Sequence, residues 1–198
     1  LPVANTGVGQ VIAAVFDDRS FTAWAFPDVV DPQLPETDDS GSYRESLQRA
    51  RSATEHDESV VVGEATIAGQ LVAVIISDFD FLAGSIGARA ATTVVRAIDR
   101  ARERGLPLFG SPASGGTRMQ EGTPAFVQMI DVAAAVSRYR SAGNAFVVWL
   151  RHPTTGGVMA TWGSYADITA AEPGALLGFL GPRVYEALYN QPFPPAVQ

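Results

Sequence analysis

The chain contains no cysteine among its 198 residues and only two histidines, His56 and His152. The first absence removes disulfides, thiol nucleophiles and every zinc site built on thiolates; the second leaves little for an imidazole-based site. Positive charge is also scarce, with 14 Lys+Arg against 21 Asp+Glu for a formal net charge of -7. Surfaces that grip nucleic acid or anionic membranes need clustered positive charge, so neither partner is expected, although a local basic patch stays open. No apolar run approaches the ~20 residues of a membrane span. The longest, residues 67–76, is broken by Gly69-Gln70 and has the length of a strand. A soluble, cytoplasmic protein without a metal is the expectation. What the chain does have is apolar content: 46% hydrophobic residues, with 10 Phe, 5 Tyr and 3 Trp. That excludes a disordered chain and fits one domain with a single sizeable core.

Residues 1–58 are rich in turn formers, as in Asp17-Asp18-Arg19-Ser20 and the Pro, Asp, Ser and Gly of residues 27–42, and read as a lead-in carrying one short helix. Ser42 with Glu45 three positions on forms a capping box, which predicts a helix over 43–54. From Val60 onward β-branched runs take over. Residues 60–67 and 71–76, separated by Ala68-Gly69-Gln70, predict a hairpin. A Gly-rich loop at 83–87 leads to an amphipathic helix over 88–103, ended by Arg104-Gly105. A strand near 106–109, a loop at 111–116 and a helix over 117–141 follow, the last with a stripe of Phe126, Ile130, Ala133, Ala134 and Ser137 and closed by Gly143. Strand 145–150, loop 151–157 and a short helix to Ser164 repeat the pattern. Strands alternating with helices across short Gly-rich loops give an α/β fold with mostly parallel pairing.

Two strand-to-helix loops carry paired glycines. Gly115-Gly116 stands directly before Thr117, which with Gln120 makes a second capping box; Gly156-Gly157 has the same layout after the next strand. Amides near such glycines are expected to be free at the positive end of a helix, where a ligand can approach the backbone closely and an oxyanion can bind. A single Gly-Gly pair can serve only to turn the chain; two in matching places favour the ligand reading. Arg118 suits an anion clamp or an ion-paired arginine equally. Glu121 reads as a helix-dipole partner before a general acid, and His152 as a loop histidine satisfied by hydrogen bonds. Ser114 lies in no Gly-x-Ser-x-Gly elbow, and neither a dinucleotide fingerprint nor a P-loop is present.

The stretches DFLAGSIG (80–87), SPASGGTRMQEG (111–122), HPTTGGV (152–158), AEP (171–173) and GFLGPRV (178–184) occur in order with near-typical spacing. Together they resemble the carboxyltransferase β subunit of acetyl-CoA carboxylase and the N-terminal half of the β chains of related acyl-CoA carboxylases, over about residues 58–188. The resemblance implies a crotonase-like fold of repeated ββα units. It also implies transfer of a carboxyl group from carboxybiotin, carried by a separate biotin carrier domain, to the α-carbon of an acyl-CoA through a thioester enolate. Carried over by position, Gly115, Gly116, Gly156 and Gly157 are the oxyanion-hole candidates, and Gly84, Ser85, Gly87 and Arg118 line the acyl-CoA cleft. The implied partners are a carboxyltransferase α half or subunit and the biotin carboxylase and carrier components.

In this scheme residues 59–198 form the carboxyltransferase β domain, truncated at its C-terminus, and residues 1–58 lack the four-cysteine zinc ribbon of many bacterial β subunits. The alternatives are a malonate decarboxylase β-type subunit, with the same enolate chemistry in reverse sense, and a catalytically silent scaffold. Binding of a CoA thioester separates the scaffold from the enzymes. Because crotonase-type halves bury apolar helix faces against partners, the chain is expected not to be a stable monomer. Light scattering on the purified chain, with and without an α partner, should register self-association or complex formation. A well-behaved monomer indifferent to the partner contradicts the expectation.

Overall fold

The computed structural model describes residues 7–33 and 40–194. The turn-rich residues 34–39 and the chain beyond 194 lie outside the described residues. Six strands form one sheet in the order β1-β2-β3-β4-β5-β7. These are β1 (Thr22–Ala23), β2 (Val60–Ile67), β3 (Gln70–Ser77), β4 (Leu108–Ser111), β5 (Phe146–Leu150) and β7 (Ile168–Ala171). The pairs from β3 to β7 are parallel, whereas β1, β2 and β3 are antiparallel. Two further short strands, β6 (Thr154–Thr155) and β8 (Leu177–Gly178), pair in parallel apart from the main sheet.

The uninterrupted apolar run of β3 is explained by burial on both faces. Val72, Val74 and Ile76 join one core cluster with Phe109 and with Val8 and Val11 of helix α1 (Val8–Val15). Ala73 and Ile75 point to the opposite core, beneath α3 (Ala88–Glu103) and α4 (Thr123–Ser141). The hairpin turn has Ala68 at φ 49° and Gly69 at φ 77°, both left-handed as a two-residue primed turn demands. The Asp17 carboxylate accepts both turn amides, at 3.0 and 2.8 Å.

Helix α3 spans the predicted residues, and Gly105 at φ 62° follows its last turn. Other expectations are corrected. Helix α2 (Ser40–Thr54) begins before Ser42, so the Ser42/Glu45 capping box does not form. Residues 116–118 are held extended by Ile86, whose amide donates to the Gly116 carbonyl and whose carbonyl accepts from the Arg118 amide, each at 2.9 Å. Helix α4 therefore starts only at Thr123, after Gly122 (φ 62°) and with Pro124 in its first turn. Its buried face is Ala125, Met129, Val132, Ala135, Val136 and Tyr139; the expected stripe faces out, with Phe126 67% and Ile130 68% exposed. The expected lead-in carries two helices, and β1 pairs with β2 through Thr22–Glu64 and Ala23–Gly63, so these residues belong to the same sheet.

Val11 of α1 is fully buried. Replacing it by Ala is expected to lower unfolding stability by about 1–3 kcal/mol, the cost of a small buried cavity. Urea denaturation checks this; no change in midpoint would mean that α1 does not seal the sheet.

Candidate functional site

The parallel strands β3, β4 and β5 end side by side, and the three loops with glycine motifs leave from their carboxyl ends, where ligands bind in open α/β sheets. Backbone hydrogen bonds stitch these loops together. Gly115 donates to the Ala83 carbonyl at 2.9 Å, Ser114 to Pro153 at 2.6 Å and Thr155 to Ser114 at 3.0 Å. The Ser114 hydroxyl donates to the Gly84 carbonyl at 2.6 Å. A Cβ on Gly84, itself at φ +61°, would collide with the Ala113 carbonyl, so this approach requires glycine. Gly116 and Gly156 lie back to back: a Cβ on Gly156 would stand 3.1 Å from the Gly116 Cα.

The two glycine pairs differ in what their amides do. Those of Gly115 and Gly116 are taken, by the Ala83 carbonyl and by the Ser114 hydroxyl at 3.0 Å, and they stand well before α4 and not at its N-terminus. The expectation of free amides there is corrected. Gly156 and Gly157 open the helical turn α5 (Gly156–Val158), which continues as a π-turn over Met159–Gly163. First-turn amides have no acceptor within their own helix, and no side chain caps this one. Gly157 is backed by Thr117 and Met129, whose Oγ1 and Cγ would lie 2.7 and 3.0 Å from a Cβ there.

Behind the loops lies a buried charged cluster in which Arg118 takes the second of its two readings, the ion-paired arginine. Arg118 is 1% exposed. Its Nη2 donates to Glu58 Oε2 at 2.9 Å and to the Ser85 carbonyl at 2.7 Å, its Nη1 to Glu58 Oε1 and to the Tyr43 hydroxyl, and its Nε to Ser85 Oγ at 3.3 Å. All three nitrogens are engaged, so the guanidinium expected to line the acyl-CoA cleft is instead an internal tie. Burial alone would lower the Arg118 pKa, but the hydrogen bonds and charge of Glu58 outweigh it and hold it above its ordinary value. Burial raises the Tyr43 phenol. Glu121 accepts from Tyr43 and, at 2.6 Å, from the Ala88 amide. It is thus a helix-terminus partner, as read, but of α3. Gly87 has no side chain because one would collide with the Glu121 carboxylate.

Among the described residues the serines and histidines form no nucleophile–base pair. Ser85 Oγ donates to the Leu82 carbonyl at 2.8 Å, and His152 Nδ1 accepts the Leu176 amide at 3.0 Å, which leaves any proton of the neutral ring on Nε2. His56 Nδ1 contacts Asp78 at 2.7 Å. Among the described residues no group of three or more His, Cys, Asp or Glu could hold a metal ion, and no helix is long and apolar enough to cross a membrane.

Residues 34–194 match the carboxyl transferase domain family. The chain belongs to that family. It is 53% identical over 189 residues to the probable biotin-dependent acyl-coenzyme A carboxylase beta3 subunit of Mycobacterium tuberculosis, covering 96% of this chain and 37% of that protein. The carboxyl transferase chain thus spans little more than a third of the length of that relative. Among solved structures it is similar to the transcarboxylase 12S hexamer, with TM-score 0.77 and 21% identity over 96% of this chain and 34% of the other. It is also similar to the malonate decarboxylase hetero-dimer of Pseudomonas, with TM-score 0.68 and 21% identity over 92% of this chain and 68% of the other. Both likenesses establish the fold alone, a mixed α/β fold of the crotonase type.

The sequence signal for the buried cluster is the charged pair Arg118 and Glu121, three positions apart; their partner Glu58 stands 60 positions before Arg118. Removing the Arg118 charge with Arg118→Met leaves Glu58 buried and unpaired, and is expected to cost about 3–5 kcal/mol. Urea unfolding of the carboxyl transferase chain measures it. A loss below about 1 kcal/mol would show that the cluster is not the buried ion pair described.

Proposed function

We propose that this domain is the N-terminal carboxyltransferase half of a biotin-dependent acyl-CoA carboxylase β chain, moving a carboxyl group from carboxybiotin to the α-carbon of an acyl-CoA. One observation carries the reading. The uncapped first turn at Gly156-Gly157, set against Gly116 with no side chain between, is a backbone cradle at the carboxyl edge of the sheet in a member of the carboxyl transferase family. Such a cradle fits a thioester or ureido oxygen, because amide donors aimed at a developing oxyanion are each worth on the order of 3 kcal/mol.

When bound, carboxybiotin supplies both the carboxyl group and the base for the α-proton. The chain's own part is to place the thioester. The amides of Gly156 and Gly157 would receive the oxygen that becomes negative as the α-proton leaves, and the Ser114–Gly116 turn, its own amides taken, would hold that cradle from behind. Gly84, Ser85 and Gly87 would form the adjoining acyl-CoA wall. No side chain here needs to act as base, since Ser85 and Ser114 give their hydroxyl protons to carbonyls and His152 uses Nδ1 as an acceptor.

Partner components follow from the same reading: a carboxyltransferase α half, a biotin carboxylase and a biotin carrier, with the cytoplasm as the proposed location. Exposed apolar side chains support a missing neighbour, among them Met119 at 82% and Leu188 at 65%. The malonate decarboxylase alternative predicts CO2 release from a malonyl thioester without biotin, whereas the carboxylase predicts biotin-dependent gain of label by acyl-CoA.

The test is carboxylation of acyl-CoA by the full-length protein with its partners, for His56→Ala, His152→Ala, Ser85→Ala and Ser114→Ala. None of the four is expected to fall to the rate measured without biotin. If His152→Ala reaches that background while acyl-CoA still binds, the histidine is a general base and biotin is not the base for the α-proton.

A further inference from the structure

Arg151 is the first residue after β5 and is fully buried. Its guanidinium lies across the ends of two neighbouring strands. Nη2 donates to the carbonyl of Ser77, the last residue of β3, at 2.5 Å and to that of Ser111, the last residue of β4, at 2.9 Å; Nε donates to Ser111 Oγ at 2.8 Å. Its backbone continues the pattern, the Arg151 amide donating to Pro112 at 3.0 Å and its carbonyl accepting from Thr154 Oγ1 at 2.9 Å. Neighbouring strands are about 4.8 Å apart, so one side chain rooted at β5 reaches over β4 to β3. A planar fork with five donors can do this; a point-charge ammonium cannot meet the same set of acceptors.

Ser77, Ser111 and Arg151 are also the roots of the three loops that meet at the cradle. We propose that Arg151 is a positioning residue, whose guanidinium ties the carboxyl ends of β3, β4 and β5 and thereby sets the mutual placement of the loops at 82–87, 113–118 and 154–158. This rests on the carboxyltransferase reading for its catalytic consequence, but not for the clamp itself. Burial pushes the Arg151 pKa down to about 10, against the opposing charges of Glu172 and Asp78, so the side chain remains a cation at neutral pH. The loops also hold each other through backbone bonds, including that from the Arg151 amide to Pro112 at their base; the Arg151 guanidinium adds the reach across β4 to β3. A displacement of about 1 Å at a reacting centre can lower a rate by 10²-fold.

The experiment uses the full-length protein with its biotin-bearing and α partners, as wild type, Arg151→Met, Arg151→Lys and Ser111→Ala. Hydrogen exchange is followed at the amides of the three loops and of the β2–β3 hairpin. In Arg151→Met exchange is expected to rise in all three loops together and not in the hairpin. Ser111→Ala, which removes only the Nε acceptor, should give the same pattern to a smaller extent. In kinetics, kcat for acyl-CoA carboxylation is expected to fall at least 10-fold in Arg151→Met with KM changed less than 3-fold, and Arg151→Lys should recover part of kcat. Exchange confined to residues 151–158, or an Ser111→Ala protein indistinguishable from wild type, overturns the clamp. The three-loop pattern with unchanged kcat overturns its role in positioning. A wild type that carboxylates no acyl-CoA refutes the proposed function, and the exchange pattern still decides the clamp.

Discussion

Glycine loops have no side chains with which to hold themselves in place, and the candidate site of this domain is made almost entirely of them. Their geometry depends on hydrogen bonds between backbones. The Gly115 amide meets the Ala83 carbonyl, Ile86 meets Gly116 and Arg118, and Ser114 meets Pro153 and Thr155, with the Ser114 hydroxyl adding a bond to the Gly84 carbonyl. The middle loop is bonded on both sides, so it acts as the keel on which the other two lie. Next to it stand residues 116–118, bonded to Ile86, the late start of α4 and the buried Glu58–Arg118–Glu121 cluster.

That cluster places two carboxylates and one guanidinium where water does not reach, an arrangement that apolar replacements often match in stability. What it supplies is connection. Through Tyr43 it reaches α2, through Glu58 the start of β2, through Ser85 the first loop, and through Glu121 the N-terminus of α3. Four segments far apart in sequence are thereby referred to one point. An arginine suits this role because its fork donates in fixed directions.

Much of the fold was legible from local pattern. The β2–β3 hairpin, α3 to its terminal residues and β5 all follow from periodicity and turn chemistry, because there local preference and tertiary context agree. Elsewhere they conflict. The Thr117–Gln120 spacing is a good helix start, yet Ile86, thirty positions earlier, claims the backbone of residues 116–118 first. In α4 apolar residues occur on both sides, Met129, Val132, Val136 and Tyr139 on the buried face and Phe126, Val127 and Ile130 on the exposed one, so periodicity alone does not single out the buried face. Helix α1 lies within residues 1–58, where the abundance of turn formers predicts a single short helix. At the site, the eight residues read from motifs do gather in one region. Which of their amides are already engaged, and that the Arg118 guanidinium is tied inward, depended on partners that no spacing reveals.

The contact between Gly116 and Gly156 is one of main chain against main chain. The width of the cradle floor is therefore fixed by the thickness of two polypeptide backbones, a dimension that is the same in every protein. Substitution there is resisted by the backbone itself, since Gly156 (φ +62°) and Gly116 (φ +111°) adopt conformations that L side chains rarely take and a Cβ on Gly156 would stand 3.1 Å from the Gly116 Cα. Any variation in the shape of the cradle must then be written into the walls, where side chains differ in volume, while the floor stays constant.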